Sequence, residues 1–232
     1  MLVVLVQRFH LIERIERRVV WENRGWMEID SYSSNRSYAP FRELFLSYGM
    51  ERCEVVFVGD SLVSEVSWNE LLRRTDVGNR GIPGDTSQGA ENRIGDYLQG
   101  TSRIVVLWVG SNDWMHGLKA NDSAASLRKM VDSVREKGRT PIVFTVPPVA
   151  KWIDSADDRN RFALELNQRV LALADQLDFP TVDAFSFLVD EHGALDGRMT
   201  RDGIHLSAAA YALIADRIEQ ILEELIKIPA EV

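Results

Sequence analysis

The sequence predicts an α/β fold of three layers, an α/β/α sandwich with a central, mainly parallel five-stranded sheet. Three observations carry this. Short apolar runs rich in β-branched residues recur along the chain, and helical patterns separate them. Polar, glycine-rich segments follow the first three of these runs, and a fourth precedes the last helical pattern. Strands alternating with helices pair in parallel through right-handed crossovers, which puts helices on both faces of the sheet.

The elements follow in order. Phe9, Leu11, Ile12, Ile15 and Val19 fall near helical spacing, which predicts a short amphipathic helix docked on the domain. Residues 22–50 are polar and aromatic, with Trp26, Tyr32, Tyr38, Phe41 and Phe45. They read as a covering segment that ends in a helix around Pro40–Ser47. Residues 1–50 are thus expected to be a helical covering segment packed on a domain of residues 51–232, the whole forming one structural domain. Glu54–Val58 (EVVFV) is a buried strand by its unbroken apolar, β-branched run. Asp76–Arg80 is a weaker strand. Arg103–Val109 and Thr140–Val146 are strong ones, the latter stopped by Pro147 and Pro148. Thr181–Ala184, after Pro180, is the fifth. Helices are predicted over 64–74, 86–98, 121–137, 156–177 and 207–227. The last carries Leu213, Ile214, Ile218, Ile221, Leu222 and Leu225.

Composition narrows the function. Hydrophobic residues make up 45% of the chain and charged residues 27%, so a disordered or collagen-like chain is excluded. Lys and Arg total 27 against 35 Asp and Glu, a net charge of -8. That balance speaks against nucleic-acid binding and against docking on an anionic membrane. The apolar stretch Met1–Val6 is far short of the roughly 20 residues of a spanning helix, and no signal-peptide pattern follows it. A cytoplasmic protein without stable membrane insertion is therefore expected. Cys53 is the single cysteine, so no intrachain disulfide forms. No paired-histidine spacing is present, and Gly78, Gly81 and Gly84 match neither a dinucleotide nor a P-loop pattern. No metal and no cofactor are expected.

Ligands of open α/β sheets bind beyond the carboxyl ends of the strands. Gly59-Asp60-Ser61-Leu62 follows the first strand, Gly81-Ile82-Pro83-Gly84-Asp85-Thr86 the second and Gly110-Ser111-Asn112-Asp113 the third; Asp202-Gly203-Ile204-His205 precedes the last helix. A serine nucleophile needs a base, a group to orient that base, and donors for the developing oxyanion. Ser61 can be the nucleophile and His205 the base. Asp202, three residues earlier, can reach Nδ1 and leave Nε2 facing Ser61. The N–H groups of Ser61 and Gly84 and the Asn112 amide can form the oxyanion hole, and glycine leaves room for the substrate oxygen.

These four blocks resemble the SGNH hydrolases, also called GDSL esterases and lipases, across about residues 38–226. Tyr38–Phe45 resembles the platelet-activating-factor acetylhydrolase-like and carbohydrate-esterase branch. The resemblance implies the flavodoxin-like SGNH fold. It implies Ser61, His205 and Asp202 as the triad, and Ser61, Gly84 and Asn112 as oxyanion donors. Pro83 departs from the small residue usual before the donor glycine. The G-x-S-x-G elbow of ordinary α/β-hydrolases is absent.

Other readings of these residues are plainer. Ser61 can be a helix cap, and Asp60, Asp85 and Asp113 can hold loops. His116 can line the cleft by position, whereas His10 and His192 lie in a helix and a turn. Trp114 and Trp152 are candidate substrate-binding residues, although aromatic side chains after strands equally serve packing. The function expected is a serine esterase acting on a small-molecule ester, with short acyl chains, acetyl in particular, on a carbohydrate or similar alcohol. A thioesterase or lysophospholipase would use the same triad; a non-catalytic acyl-ligand module would keep only the loops. A flavodoxin-like cofactor domain fits the fold alone. The first and last helices are surfaces available to a homo-oligomer.

Overall fold

The computed structural model describes residues 31–48 and 53–227. The helix predicted within 9–20, together with Trp26, lies outside them. The described residues fall in one compact unit, Ser31–Val232. Its elements are α1 (Tyr38–Leu46), β1 (Val55–Gly59), α2 (Ser61–Ser64), α3 (Trp68–Leu71), β2 (Val77–Gly81) and α4 (Ser87–Tyr97). There follow β3 (Ile104–Trp108), a 3-10 turn (Trp114–His116), α5 (Ala120–Glu136), β4 (Thr140–Phe144) and α6 (Ala156–Leu177). The chain continues with β5 (Thr181–Val182), α7 (Ala184–Leu188) and α8 (Ala208–Lys227).

The five strands are all parallel, in the order β2-β1-β3-β4-β5. β1 lies between β2 and the central strand β3: Val55 pairs with Val77 on one side and with Ile104 on the other. β1 and β3 are buried along their whole length, which is why both read as unbroken apolar runs rather than alternating ones. Alternate residues face opposite helical layers. Val56, Val58, Val105 and Leu107 join Tyr97, Met130, Leu166 and Val170 beneath α4, α5 and α6. Phe57, Val106 and Trp108 join Trp68, Leu188, Ile214 and Ile218 on the other face, where α8 packs. Tyr38 and Phe45 of α1 close the edge of the first layer. The chain leaves β1 toward one side of the sheet and returns at β3 on the other. The connections that follow β1 and β3 therefore run to opposite faces of the sheet and leave a crevice at this switch point.

Two elements differ from the sequence reading. The helix predicted over 64–74 is two single turns, α2 and α3. The break is held by side chains: Trp68 Nε1 donates to the Val63 carbonyl at 3.0 Å, and Asn79 Nδ2 donates to the Val63 and Val66 carbonyls at 2.9 Å each. Those carbonyls are satisfied without helical continuation. The strand predicted over 181–184 stops after Val182. Asp183 caps α7 instead, accepting the Ser186 N–H at 3.3 Å and its hydroxyl at 2.5 Å.

Candidate active site

Ser61 stands at the first position of α2, directly beyond β1. A Cβ on Gly59 would come within 2.3 Å of the Trp108 carbonyl oxygen, so only glycine fits at this strand end. Asp60 caps the turn by accepting the Leu62 N–H at 2.9 Å. Tyr211 of α8 donates its hydroxyl to the Leu62 carbonyl at 2.9 Å. The serine thus sits on a short turn held by a strand, a cap and a distant helix.

The second half of the site is the loop before α8. Asp202 Oδ1 accepts the N–H groups of Ile204 at 2.9 Å and His205 at 2.7 Å, which curls the loop around the carboxylate. Thr200 Oγ1 accepts the Gly203 N–H at 2.8 Å and donates to the His205 carbonyl at 2.7 Å. Gly203 adopts φ +93°, and its carbonyl accepts the Ala150 N–H at 2.8 Å. His205 Nδ1 lies 2.7 Å from Asp202 Oδ2, and His205 Nε2 lies 3.1 Å from Ser61 Oγ. Partial burial pushes the Asp202 carboxyl up. The imidazole and the two loop N–H groups outweigh that and hold it at about 2.

Gly84 lies in a tight turn in which the Asp85 N–H donates to the Ile82 carbonyl at 3.0 Å. Pro83 at the second position and Gly84 at φ +73° in the third make this a type II turn, for which proline is a favoured residue. Asn35, from the covering segment, donates to the Pro83 carbonyl at 3.0 Å. Asn112 Nδ2 donates to the Asp85 carbonyl at 2.9 Å, with a longer 3.3 Å contact to Asp60 Oδ2. No hydrogen bond among the described residues uses the backbone N–H of Ser61 or of Gly84.

Beneath these loops lie the buried carboxylates of Asp60, Asp85 and Asp113 and the buried guanidinium of Arg93. Arg93 donates to Asp85 Oδ2 at 2.8 Å, to the Arg80 carbonyl at 2.7 Å and to the Gly59 carbonyl at 3.0 Å. Asp113 accepts from the Ser87 N–H at 2.9 Å and from its hydroxyl at 2.5 Å. Burial pushes Asp60 up to about 7, and Asp85 and Asp113 add to the rise; burial likewise carries Asp85 to about 6 against the pull of Arg93. All three aspartates therefore have structural partners in the loops.

A cavity of about 400 Å³ opens on Ser61, Gly84, Asn112 and His205. Trp114 and Met115 line it, as do Pro147 and Pro148 after β4. Trp152 does not line it. Trp152 is 64% exposed and its ring lies against Gly203 and Gly197, so it packs the Asp202–His205 loop from outside. His116 also stands outside the lining. Among the described residues no cluster of His, Cys, Asp and Glu is placed to hold a metal ion. No helix among them is long and apolar enough to cross a membrane. Several residues at the site were not singled out by sequence. Glu65, four positions after Ser61, puts Oε1 3.9 Å from His205 Nε2 and pairs with Arg201. Its helical spacing from Ser61 was the available signal. Asn35 and Arg93 carried none.

A family model described as GDSL-like lipase/acylhydrolase matches residues 57–213, more than half of the chain. The chain belongs to this GDSL-like family. Ser61, Gly84, Asn112 and His205, which line the cavity, and Asp202, which is bonded to His205 behind it, all fall within the matched span. Among curated relatives of this GDSL-like acylhydrolase is the platelet-activating factor acetylhydrolase IB subunit alpha1 of Bos taurus, 29% identical over 181 residues, 75% of this chain and 76% of the relative. A GDSL-like lipase from Bacteroides thetaiotaomicron shares the fold at a TM-score of 0.71 and 21% identity, over 81% of this chain and 98% of that one. An acetyl-xylooligosaccharide esterase from Geobacillus shares it at a TM-score of 0.61 and 18% identity, over 75% and 95%.

Proposed function

We propose that this GDSL-family enzyme is a serine esterase that removes short acyl groups, acetyl in particular, from a carbohydrate or similar small alcohol. The observation that carries the reading is the unbroken line from Ser61 Oγ through His205, at 3.1 Å, to Asp202, at 2.7 Å. Asp202 stays ionised at working pH and holds a proton on Nδ1, so Nε2 is the basic nitrogen that faces the hydroxyl.

In the proposed reaction Ser61 Oγ attacks the ester carbonyl carbon and its proton passes to His205 Nε2. The carbonyl π electrons move onto oxygen. The Ser61 and Gly84 N–H groups and the Asn112 amide receive that oxyanion, and the Asn112 hydrogen on the longer Asp60 contact is the one it competes for. Collapse expels the alkoxide, which takes the proton from His205. Water then attacks the acyl-enzyme by the same route and frees Ser61. The imidazolium formed at each step lies between Asp202 and Glu65, both negatively charged.

The acetyl preference rests on the relatives' names and on the modest size of the cavity, at the lower end of the roughly 300–1,000 Å³ of small-molecule sites. Trp114 supplies an apolar wall. The acidic balance of the chain keeps nucleic acid and anionic membranes outside the proposal, and a cytoplasmic setting goes with it. A fluorophosphonate probe, with the adduct located by mass spectrometry, tests the nucleophile: labelling of Ser61 is expected, and labelling elsewhere overturns it. A p-nitrophenyl ester series tests the acyl preference. Acetyl or butanoyl should be the best acyl group, and a maximum at octanoyl or longer contradicts it.

A further inference from the structure

Arg159 lies in the first turn of α6 and lines the same cavity as Ser61 and His205. It is partly buried, yet its guanidinium has no hydrogen bond and no ion pair among the described residues. This is unusual in a chain with 35 acidic and 27 basic residues. The other charges at the cavity are balanced: Glu65 pairs with Arg201, and Asp202 with His205. Nor is the neighbouring Asn160 amide free, because it accepts the Val149 N–H at 2.7 Å and donates to the Val149 carbonyl at 2.9 Å. The rest of that wall is apolar, with Val146, Pro147, Pro148 and Phe162. Arg159 is thus the one cation on this wall without a partner among the described residues.

We infer that Arg159 is a specificity-determining residue that binds an anionic group, phosphate or carboxylate, on the substrate's alcohol portion. The inference rests on the esterase reading above, since an acetyl group carries no charge and the anion must then belong to the alcohol. A planar guanidinium on an apolar wall matches an oxyanion in a bidentate fashion, and reduced hydration strengthens the pair. Burial lowers the proton affinity of the guanidinium, and no carboxylate among the described residues forms an ion pair with it. An incoming anion would supply the missing charge.

The test compares acetate release from 2-acetoxyethyl phosphate and 3-acetoxypropanoate with release from the neutral 2-methoxyethyl acetate. The wild type should favour at least one anionic ester in kcat/KM, and the better one tells phosphate from carboxylate. Arg159→Gln should lower the anionic-to-neutral ratio at least tenfold, chiefly through KM, and Arg159→Lys should lower it less. Arg161→Gln, on an exposed arginine paired with Asp158, should leave the ratio unchanged. A wild-type ratio near one, or a ratio that Arg159→Gln does not move, overturns the inference while leaving the esterase reading intact. Calorimetric binding of 2-hydroxyethyl phosphate to Ser61→Ala protein separates the two claims. Binding weakened tenfold by adding Arg159→Gln supports the anion site even if no ester is cleaved, and binding indifferent to Arg159 counts against it.

Discussion

Arg93 and Asp85 form an ion pair at 2.8 Å with side chains 0% and 1% exposed. The same guanidinium holds the carbonyls of Gly59 and Arg80. One side chain of α4 therefore ties the ends of β1 and β2 to the turn that carries Gly84. Removing one partner of a buried pair strands the other charge, which typically costs about 3–5 kcal/mol. Arg93→Met is expected to lose stability in that range in urea unfolding. Adding Asp85→Asn, which removes the stranded charge, should restore part of it. A loss below about 1 kcal/mol in the single variant contradicts this account.

Asn35 reaches from the covering segment to the Pro83 carbonyl at 3.0 Å, and its side-chain Oδ1 accepts the Ser37 N–H at 2.9 Å. Asn35→Ala should leave the sheet folded but loosen the Gly84 turn. Steady-state kinetics on a short p-nitrophenyl ester should show a fall of about tenfold in kcat/KM, borne mainly by kcat, which corresponds to about 1.4 kcal/mol in the transition state. An unchanged kcat would show that the turn holds its place without this bond.

Asp60 sets a slope in stability with pH. Its carboxyl titrates at about 7 in the folded protein against an ordinary value of 3.8. The folded state keeps the proton that the unfolded chain releases, so the group's contribution is full below the ordinary value and is lost as pH rises through about 7. Asp85, raised to about 6, slopes the same way. Asp202, lowered to about 2, acts in the opposite sense: its contribution is present above the ordinary value and is lost as pH falls toward 2. Thermal unfolding across the weakly acidic to neutral range should show Asp60→Asn losing less stability than the wild type as pH rises. Parallel curves for the two proteins would rule this out.

Gly203 is the tightest backbone position in the Asp202–His205 loop. At φ +93° a Cβ would stand 2.8 Å from Trp152 Nε1 and 2.7 Å from Ile153 Cδ1. Gly203→Ala should cost about 1–3 kcal/mol of stability and lower kcat with it. Trp152→Ala in the same chain makes room, so the double variant should be more stable than the sum of the single effects. Simple additivity would place Trp152 out of contact with the loop.

The sheet was legible because its physics is local. The fully buried β1 and β3 need apolar, β-branched runs, and Val55–Val58 and Ile104–Trp108 are such runs. Ser61, Gly84, Asn112, Asp202 and His205 were legible because each follows a strand or precedes α8 in a short polar block; the structure gathers four of them around one cavity and sets Asp202 behind His205. What stayed hidden depends on partners far along the chain. Asn35 meets Pro83 across 48 positions, and Arg93 meets Gly59 across 34. No periodicity announces such contacts. The split of α2 from α3 was invisible for the same reason, since Asn79 on β2 satisfies the carbonyls at the break. Trp152 followed a strand, as a cleft residue would, but turns outward onto Gly203.

Turnover of p-nitrophenyl acetate by Ser61→Ala tests the central claim most directly, with circular dichroism to verify the fold. The account predicts a fall in kcat of about 10³-fold or more, and loss of any initial burst of p-nitrophenolate, because no acyl-enzyme can form. Turnover within tenfold of the wild type would contradict it.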